Sequence, residues 1–152
     1  MAAIRIAKAS LEMADDAIAL IEEYYEAIGV VHRDTRDGLL RCLADDASAV
    51  WIAKSGPAAA GCVLYRPLAH LGKAGEIKRL YVRPSHRRFG IADALLRALE
   101  DFAASRQIRW LYLDTKDELV EAIAFYKRHG YAECARYNDN PQATIFMRKE
   151  LA

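Results

Sequence analysis

The chain has 152 residues, 53% of them hydrophobic and 28% charged, with a formal net charge of +1. That length and apolar share make one domain, residues 1–152, with a buried core, and the near-neutral balance excludes a polyanion-binding face spread over the molecule, so no nucleic-acid partner is expected. Three cysteines (Cys42, Cys62, Cys134) without a CxxC pair argue against a disulfide framework and for reduced thiols, and no stretch approaches the ~18–20 apolar residues of a membrane helix, so a soluble cytoplasmic protein without a membrane partner is expected.

Residues Ile4 to Ala9 alternate apolar and polar, as a first strand would. Ser10 is placed to cap the next helix, where Ala14, Ile18, Ile21, Tyr25 and Ile28 recur at helical spacing and Gly29 closes the run. A charged connector, His32 to Asp37, leads into a shorter helix with Leu39, Leu40 and Leu43 as its stripe. Ala49 to Lys54 and Ala60 to Tyr65 read as a hairpin about the turn Ser55-Gly56-Pro57. After a loop from Leu68 to Gly75 come a strand over 76–82 and a helix over 91–103, with Ile91, Leu95, Ala98, Leu99 and Phe102 on one face. Ile108 to Leu113 is the next strand. Asp117 is placed to cap a helix from Glu118 to His129, which Gly130 ends. Tyr131 to Ala135 and Thr144 to Lys149 complete the chain, joined by the turn-rich Asn138-Asp139-Asn140-Pro141. The order β-α-α-β-β-β-α-β-α-β-β predicts a mixed α/β (α+β) fold of about seven strands and about four helices.

The segment that carries most information is Arg87-Arg88-Phe89-Gly90-Ile91-Ala92, an Arg-x-x-Gly-x-Ala sequence between strand and helix. The first N–H groups of a helix lack intrahelical partners, and the helix dipole favours an anion there. Gly90 permits close backbone approach. Five Lys/Arg residues and no acid lie between Lys78 and Arg88, which marks a local site and not a basic face. About 35 residues on stands Ala122-x-x-Phe125-Tyr126-x-x-x-Gly130-Tyr131.

This pairing of motifs in this element order resembles the GNAT-type N-acetyltransferase superfamily. The resemblance implies a mixed, mainly antiparallel sheet, acetyl-CoA as co-substrate without a metal, and transfer of the acetyl group to a primary amine by direct attack in a ternary complex. It implies that backbone N–H groups of Arg87, Arg88, Phe89, Gly90, Ile91 and Ala92 grip the CoA pyrophosphate, with Arg88 adding a charge-assisted contact. It implies main-chain contacts to pantetheine from Leu80, Tyr81 and Val82, whose side chains can equally be core. Tyr126 matches the tyrosine that faces the CoA sulfur; a phenol can protonate or hydrogen-bond the leaving thiolate, the alternative being a core aromatic. Glu76, eleven residues before Arg87, matches the position where some members carry a general base, which an ammonium acceptor requires at neutral pH; the alternative is a polar residue at a strand start. The chain departs from the family at Leu119, where many members have a cofactor-contacting asparagine.

On the acceptor side the resemblance points to the first helix–helix connection and the C-terminal hairpin, with Tyr25, His32 and Tyr137 as candidates beside Tyr24, Arg33, Asp34 and Asn138. The acceptor is left open between a small-molecule amine and a protein amine, and a homodimer is compatible with the fold. His32, His70, His86 and His129 show no metal-ligand spacing, and His129 suits a helix C-terminus. The competing reading is a non-catalytic acyl-CoA-binding sensor or regulatory module, which needs the loop but neither Glu76 nor Tyr126.

Overall fold

A computed structural model describes residues 3–151. Its element order is β1 (Ile4–Lys8), α1 (Ala14–Ile28), α2 (Arg36–Ala44), β2 (Ala49–Ser55), β3 (Ala58–Pro67), β4 (Ala74–Val82), α3 (Ile91–Ser105), β5 (Trp110–Thr115), α4 (Val120–Arg128), β6 (Ala132–Glu133) and β7 (Ile145–Glu150). The strands form one open sheet in the order β1-β2-β3-β4-β5-β7-β6. Every neighbouring pair is antiparallel except β4 with β5.

Alternation along the strands sends side chains to two cores. On one face Trp51, Ile77, Leu111, Leu113 and Met147 pack with Leu95, Leu96 and Leu99 of α3 and Tyr126 of α4. On the other, Val50, Ile52 and Leu64 pack with Ile18, Leu20 and Ile21 of α1 and Leu39 of α2. The apolar stripe of α1 therefore lies where its spacing places it. Gly29 ends that helix with φ +74°, its N–H donating to the Tyr25 carbonyl.

Two expected caps are not formed. Ser10 precedes a short 3₁₀ turn over Leu11–Met13 and makes no side-chain cap bond, and α1 starts only at Ala14. Asp117 does not cap α4. Its N–H donates to the Thr144 hydroxyl at 2.8 Å, and the Lys116 ammonium donates to the Ile28 carbonyl at 3.0 Å. These tertiary bonds hold residues 116–118 as a turn, so α4 begins at Val120 after an uncapped Leu119. Thr35 is the cap that forms, accepting from the Gly38 N–H at the start of α2. The expected strand over Tyr131 to Ala135 shrinks to Ala132–Glu133. The chain then leaves the sheet, and Arg136 donates to the carbonyls of Asn138, Asn140 and Ala143, folding the segment on itself.

Two irregularities in β4 position the site. Against β3, Cys62 faces Tyr81 but Leu64 faces Lys78, so β4 carries one extra residue there. Arg79, with φ +60°, lies within that bulge. Against β5, pairing runs only through Ala74–Trp110, Gly75–Leu111 and Glu76–Tyr112, although both strands continue. Beyond Glu76 the β5-facing edge of β4 has no strand partner, and the sheet opens between the two.

Candidate active site

A groove of about 380 Å³ follows this opening. Its walls are Tyr24, Ala27 and Ile28 of α1, Leu80, Tyr81 and Val82 of β4, the loop residues Arg87, Arg88 and Gly90, Ile91 to Asp93 of α3, and Tyr126 with neighbours on α4. Eight of the nine residues expected to hold the co-substrate thus line one groove. Phe89 does not; its ring points outward and is exposed, so only its backbone belongs to the loop.

The loop's backbone explains the sequence. Arg88 and Gly90 both have positive φ, +70° and +76°. A Cβ on Gly90 would meet no atom within 4 Å, so the glycine is there for its conformation and not for room. The Arg87 N–H donates to the Pro84 carbonyl and the Ala94 N–H to the Gly90 carbonyl. Among the described residues, the N–H groups of 88–93 between them have no protein acceptor. Six consecutive free donors at the positive end of a 15-residue helix form an anion site.

The basic run around the loop is less basic than it reads. Lys78 pairs with Glu76 and Asp114, Arg79 with Asp34, and Arg83 with Glu23. Only Arg87 and Arg88 of the five line the groove, and the Arg87 Nε donates to the Val82 carbonyl. Arg128 adds positive charge, and the His86 ring lines the same wall. Asp93, in the first turn of α3, is matched by His129, whose Nε2 lies 2.7 Å from its carboxylate. His129 thus joins the end of α4 to the start of α3.

Where β4 and β5 part, the groove runs into a chamber of about 90 Å³ lined by Tyr24 and Ile28 of α1, Lys78 to Leu80 of β4, Asp114 and Thr115 of β5, and Tyr126. Tyr126 lines both spaces. It is 8% exposed, and its hydroxyl has no protein partner among the described residues. Burial, with smaller contributions from Tyr24 and Asp114, pushes the phenol well above its ordinary range. The group therefore stays protonated and able to donate.

Glu76 lines neither space. It is buried on the α1 face, where Tyr137 donates to its Oε2 at 2.6 Å, Asn138 at 3.3 Å, and Lys78 lies 3.4 Å away. Asn138 also donates to Asp114 at 2.6 Å, and Lys78 lies 3.2 Å from the same carboxylate. Glu76, Asp114, Lys78, Tyr137 and Asn138 thus form one network beside the chamber. The Oε1 of Glu76 has no hydrogen-bond donor among the described residues. Burial and the adjoining Glu76 carboxylate push the Tyr137 phenol far up, so it remains a donor. The buried Nε of Arg79 is left without a partner.

The other acceptor-side candidates separate. Tyr25 is buried, and its hydroxyl donates to Asp34, which also accepts from Arg66 and Arg79; it lines a different cavity, with Arg33 and Glu26. His32 is exposed on the connector and lines none of the cavities described. Tyr137 reaches Glu76. Asp114 and Lys78 carried no signal as a pair, because they are 36 residues apart and meet only where the two strands run on beyond their last paired residues. Among the described residues no group of three or more His, Cys, Asp and Glu side chains could hold a metal ion, and no helix is long and apolar enough to cross a membrane.

Comparison with known proteins places these features in context. The model of the acetyltransferase (GNAT) family matches residues 14–131. An uncharacterized N-acetyltransferase of Schizosaccharomyces pombe is 29% identical over 152 residues, covering 91% of this chain and 88% of that protein. The IAA acetyltransferase of Azospirillum brasilense is 29% identical over 142 residues, covering 90% and 92%. Among solved structures, a GNAT-family acetyltransferase from Staphylococcus aureus superposes with a TM-score of 0.84 at 18% identity, over 99% of this chain and all of that one. The PaiA N-acetyltransferase of Thermoplasma acidophilum, solved with coenzyme A, gives 0.81 at 18% identity over 98% and 99%. At that identity the structural likeness speaks for the fold alone.

Proposed function

The chain belongs to the acetyltransferase (GNAT) family, and from that premise we propose that it moves the acetyl group of acetyl-CoA to a primary amine by direct attack in a ternary complex. The observation that carries this is the continuity of three parts: the six free N–H groups at the start of α3, the unpaired edge of β4, and the Tyr126 hydroxyl where the strands part.

Each part has a task. The N–H groups of 88–93 receive the pyrophosphate, with Arg88 supplying charge from the rim. Backbone groups of Leu80 to Val82 pair with the pantetheine arm as a further strand would. Glu76 withdraws a proton from the acceptor ammonium through water at its free Oε1, while Tyr137 and Asn138 hold the carboxylate in place. The amine nitrogen forms its bond to the thioester carbonyl carbon, the carbon–sulfur bond breaks with the electron pair leaving on sulfur, and the surplus proton still on nitrogen passes through water to that thiolate, giving the CoA thiol. Tyr126 donates its hydrogen bond to that thiolate. With the phenol pushed above the thiol's ordinary 8–9, its role is to stabilise the departing charge as it develops. The products are the N-acetylated amine and CoA.

The test is incubation with acetyl-CoA and a panel of amines, reading CoA thiol and acetylated product together by mass spectrometry. Equal amounts of both are expected. Tight acetyl-CoA binding with no acetylated product from any amine favours the sensor reading instead.

A further inference from the structure

We infer that the acceptor is a compact, low-molecular-weight amine and not an amine carried on a peptide or protein chain; this rests on the transferase reading above. The groove for the co-substrate fills the opening along α3 and α4 and reaches Tyr24, Ala27 and Ile28 of α1. An acceptor must therefore arrive from the α1 face, between the end of α1 and the segment 134–144.

Those two borders are bonded to each other. The side-chain amide of Gln142 donates to the Gly29 carbonyl at 3.1 Å, and its Oε1 accepts from the Val31 N–H at 2.8 Å. The Lys116 ammonium joins the end of α1 to the β5–α4 turn through the Ile28 carbonyl. Tyr137 and Asn138 pin the same C-terminal segment to Glu76 and Asp114. The segment itself is stiffened: Arg136 holds three of its carbonyls, and the Asn140 side chain accepts from the Gln142 N–H.

A bound peptide is recognised chiefly through main-chain hydrogen bonds along an open edge. Here the main-chain groups at the rim, the Gly29 carbonyl and the Val31 N–H, are already taken by one side chain. A strand also needs about 4.8 Å of free width, whereas Gln142 spans the gap at hydrogen-bonding distance. The chamber next to this border, which Ile28, Lys78 and Asp114 line, holds about 90 Å³. That volume suits an acetyl group and the reacting end of a small amine.

The experiment compares kcat/KM by CoA release for free primary amines (amino acids, alkyl and arylalkyl amines, polyamines) and for the same groups built into ten-residue peptides at the N-terminus or as lysine. The expected result is a best free amine exceeding the best peptide by at least 100-fold. Peptides turned over as well as the best free amine overturn the inference and leave the transferase reading standing. Acetyl-CoA bound but no CoA release from any compound overturns that reading and the inference with it. Gln142→Ala cuts the strap at a half-buried position outside the core. It is expected to lower the free-amine-to-peptide ratio at least tenfold with acetyl-CoA affinity unchanged. An unchanged ratio in a folded Gln142→Ala protein also overturns the inference.

Discussion

Gly90→Ala isolates the conformational demand of the loop. Because an added Cβ meets no atom within 4 Å, the substitution introduces no clash, and its whole cost is that of holding a non-glycine residue at φ +76°, about 1–2 kcal/mol. A chain of this length loses roughly 3–6 °C of Tm for that cost. If the unliganded loop relaxes instead, the strain returns when the ligand binds, and CoA affinity falls by roughly 5–30-fold. The two losses together should amount to about 1–2 kcal/mol. Gly29→Ala is the comparison: φ is +74° and the space around it equally empty, but it ends α1 outside the Arg87–Ala92 loop and carries none of the loop's free N–H groups, although Ala27 and Ile28 before it line the groove. It should show the Tm loss with CoA affinity intact. Thermal melts and isothermal titration with CoA on both variants decide the matter. Equal losses of CoA affinity in the two, or no loss of any kind at Gly90, would refute the anion-loop argument.

Three further outcomes are expected. Glu76→Gln should reduce kcat/KM most at neutral pH and recover in part toward pH ~10, where the free amine forms without help; a loss of the same size at every pH in a rate profile would mark a structural role. Asp34 is opposed by burial, but Arg66 and Arg79 outweigh it and hold its carboxyl below the usual range. The stability it contributes is present above pH ~4 and lost as pH falls through the depressed value. Asp34→Asn should cost about 2 kcal/mol at pH 7 and flatten the acid end of a denaturation series, whereas an unchanged acid limb would refute the pairing. Tyr137→Phe removes one donor to Glu76 but leaves the carboxylate, so its loss of kcat/KM should be smaller than that of Glu76→Gln, and the reverse order would contradict the positioning role.

Features set by neighbours in the chain were legible in the sequence. The α1 stripe, the Gly29 stop and the Arg87–Ala92 turn all depend on local geometry, and each appears where the residues predict it. Features set by pairing were not. The extra residue of β4 at Arg79 is a matter of register against β3, and no residue type announces it. The end of β4–β5 pairing after Glu76 is likewise a property of two strands together. Asp117 failed as a cap because bonds to Thr144 and Ile28, 27 and 88 residues from their partners, hold 116–118 as a turn, and α4 starts only at Val120. The run from Lys78 to Arg88 looked like a concentrated positive site, yet three of its five charges are matched by acids from distant segments. Glu76 was found by offset from the loop, but its partners Tyr137 and Asn138 sit 61 and 62 residues away, where only the fold brings them.

The most direct test of the account is Tyr126→Phe, measured at saturating acetyl-CoA with the best amine, alongside acetyl-CoA affinity by titration. The hydroxyl makes no protein hydrogen bond among the described residues, so its loss should leave folding and binding nearly unchanged. Its donor role toward the thiolate predicts a fall in kcat of about 10²-fold. A kcat equal to that of the unmodified chain, with acetyl-CoA bound as tightly, would contradict the claim that transfer takes place where β4 and β5 part.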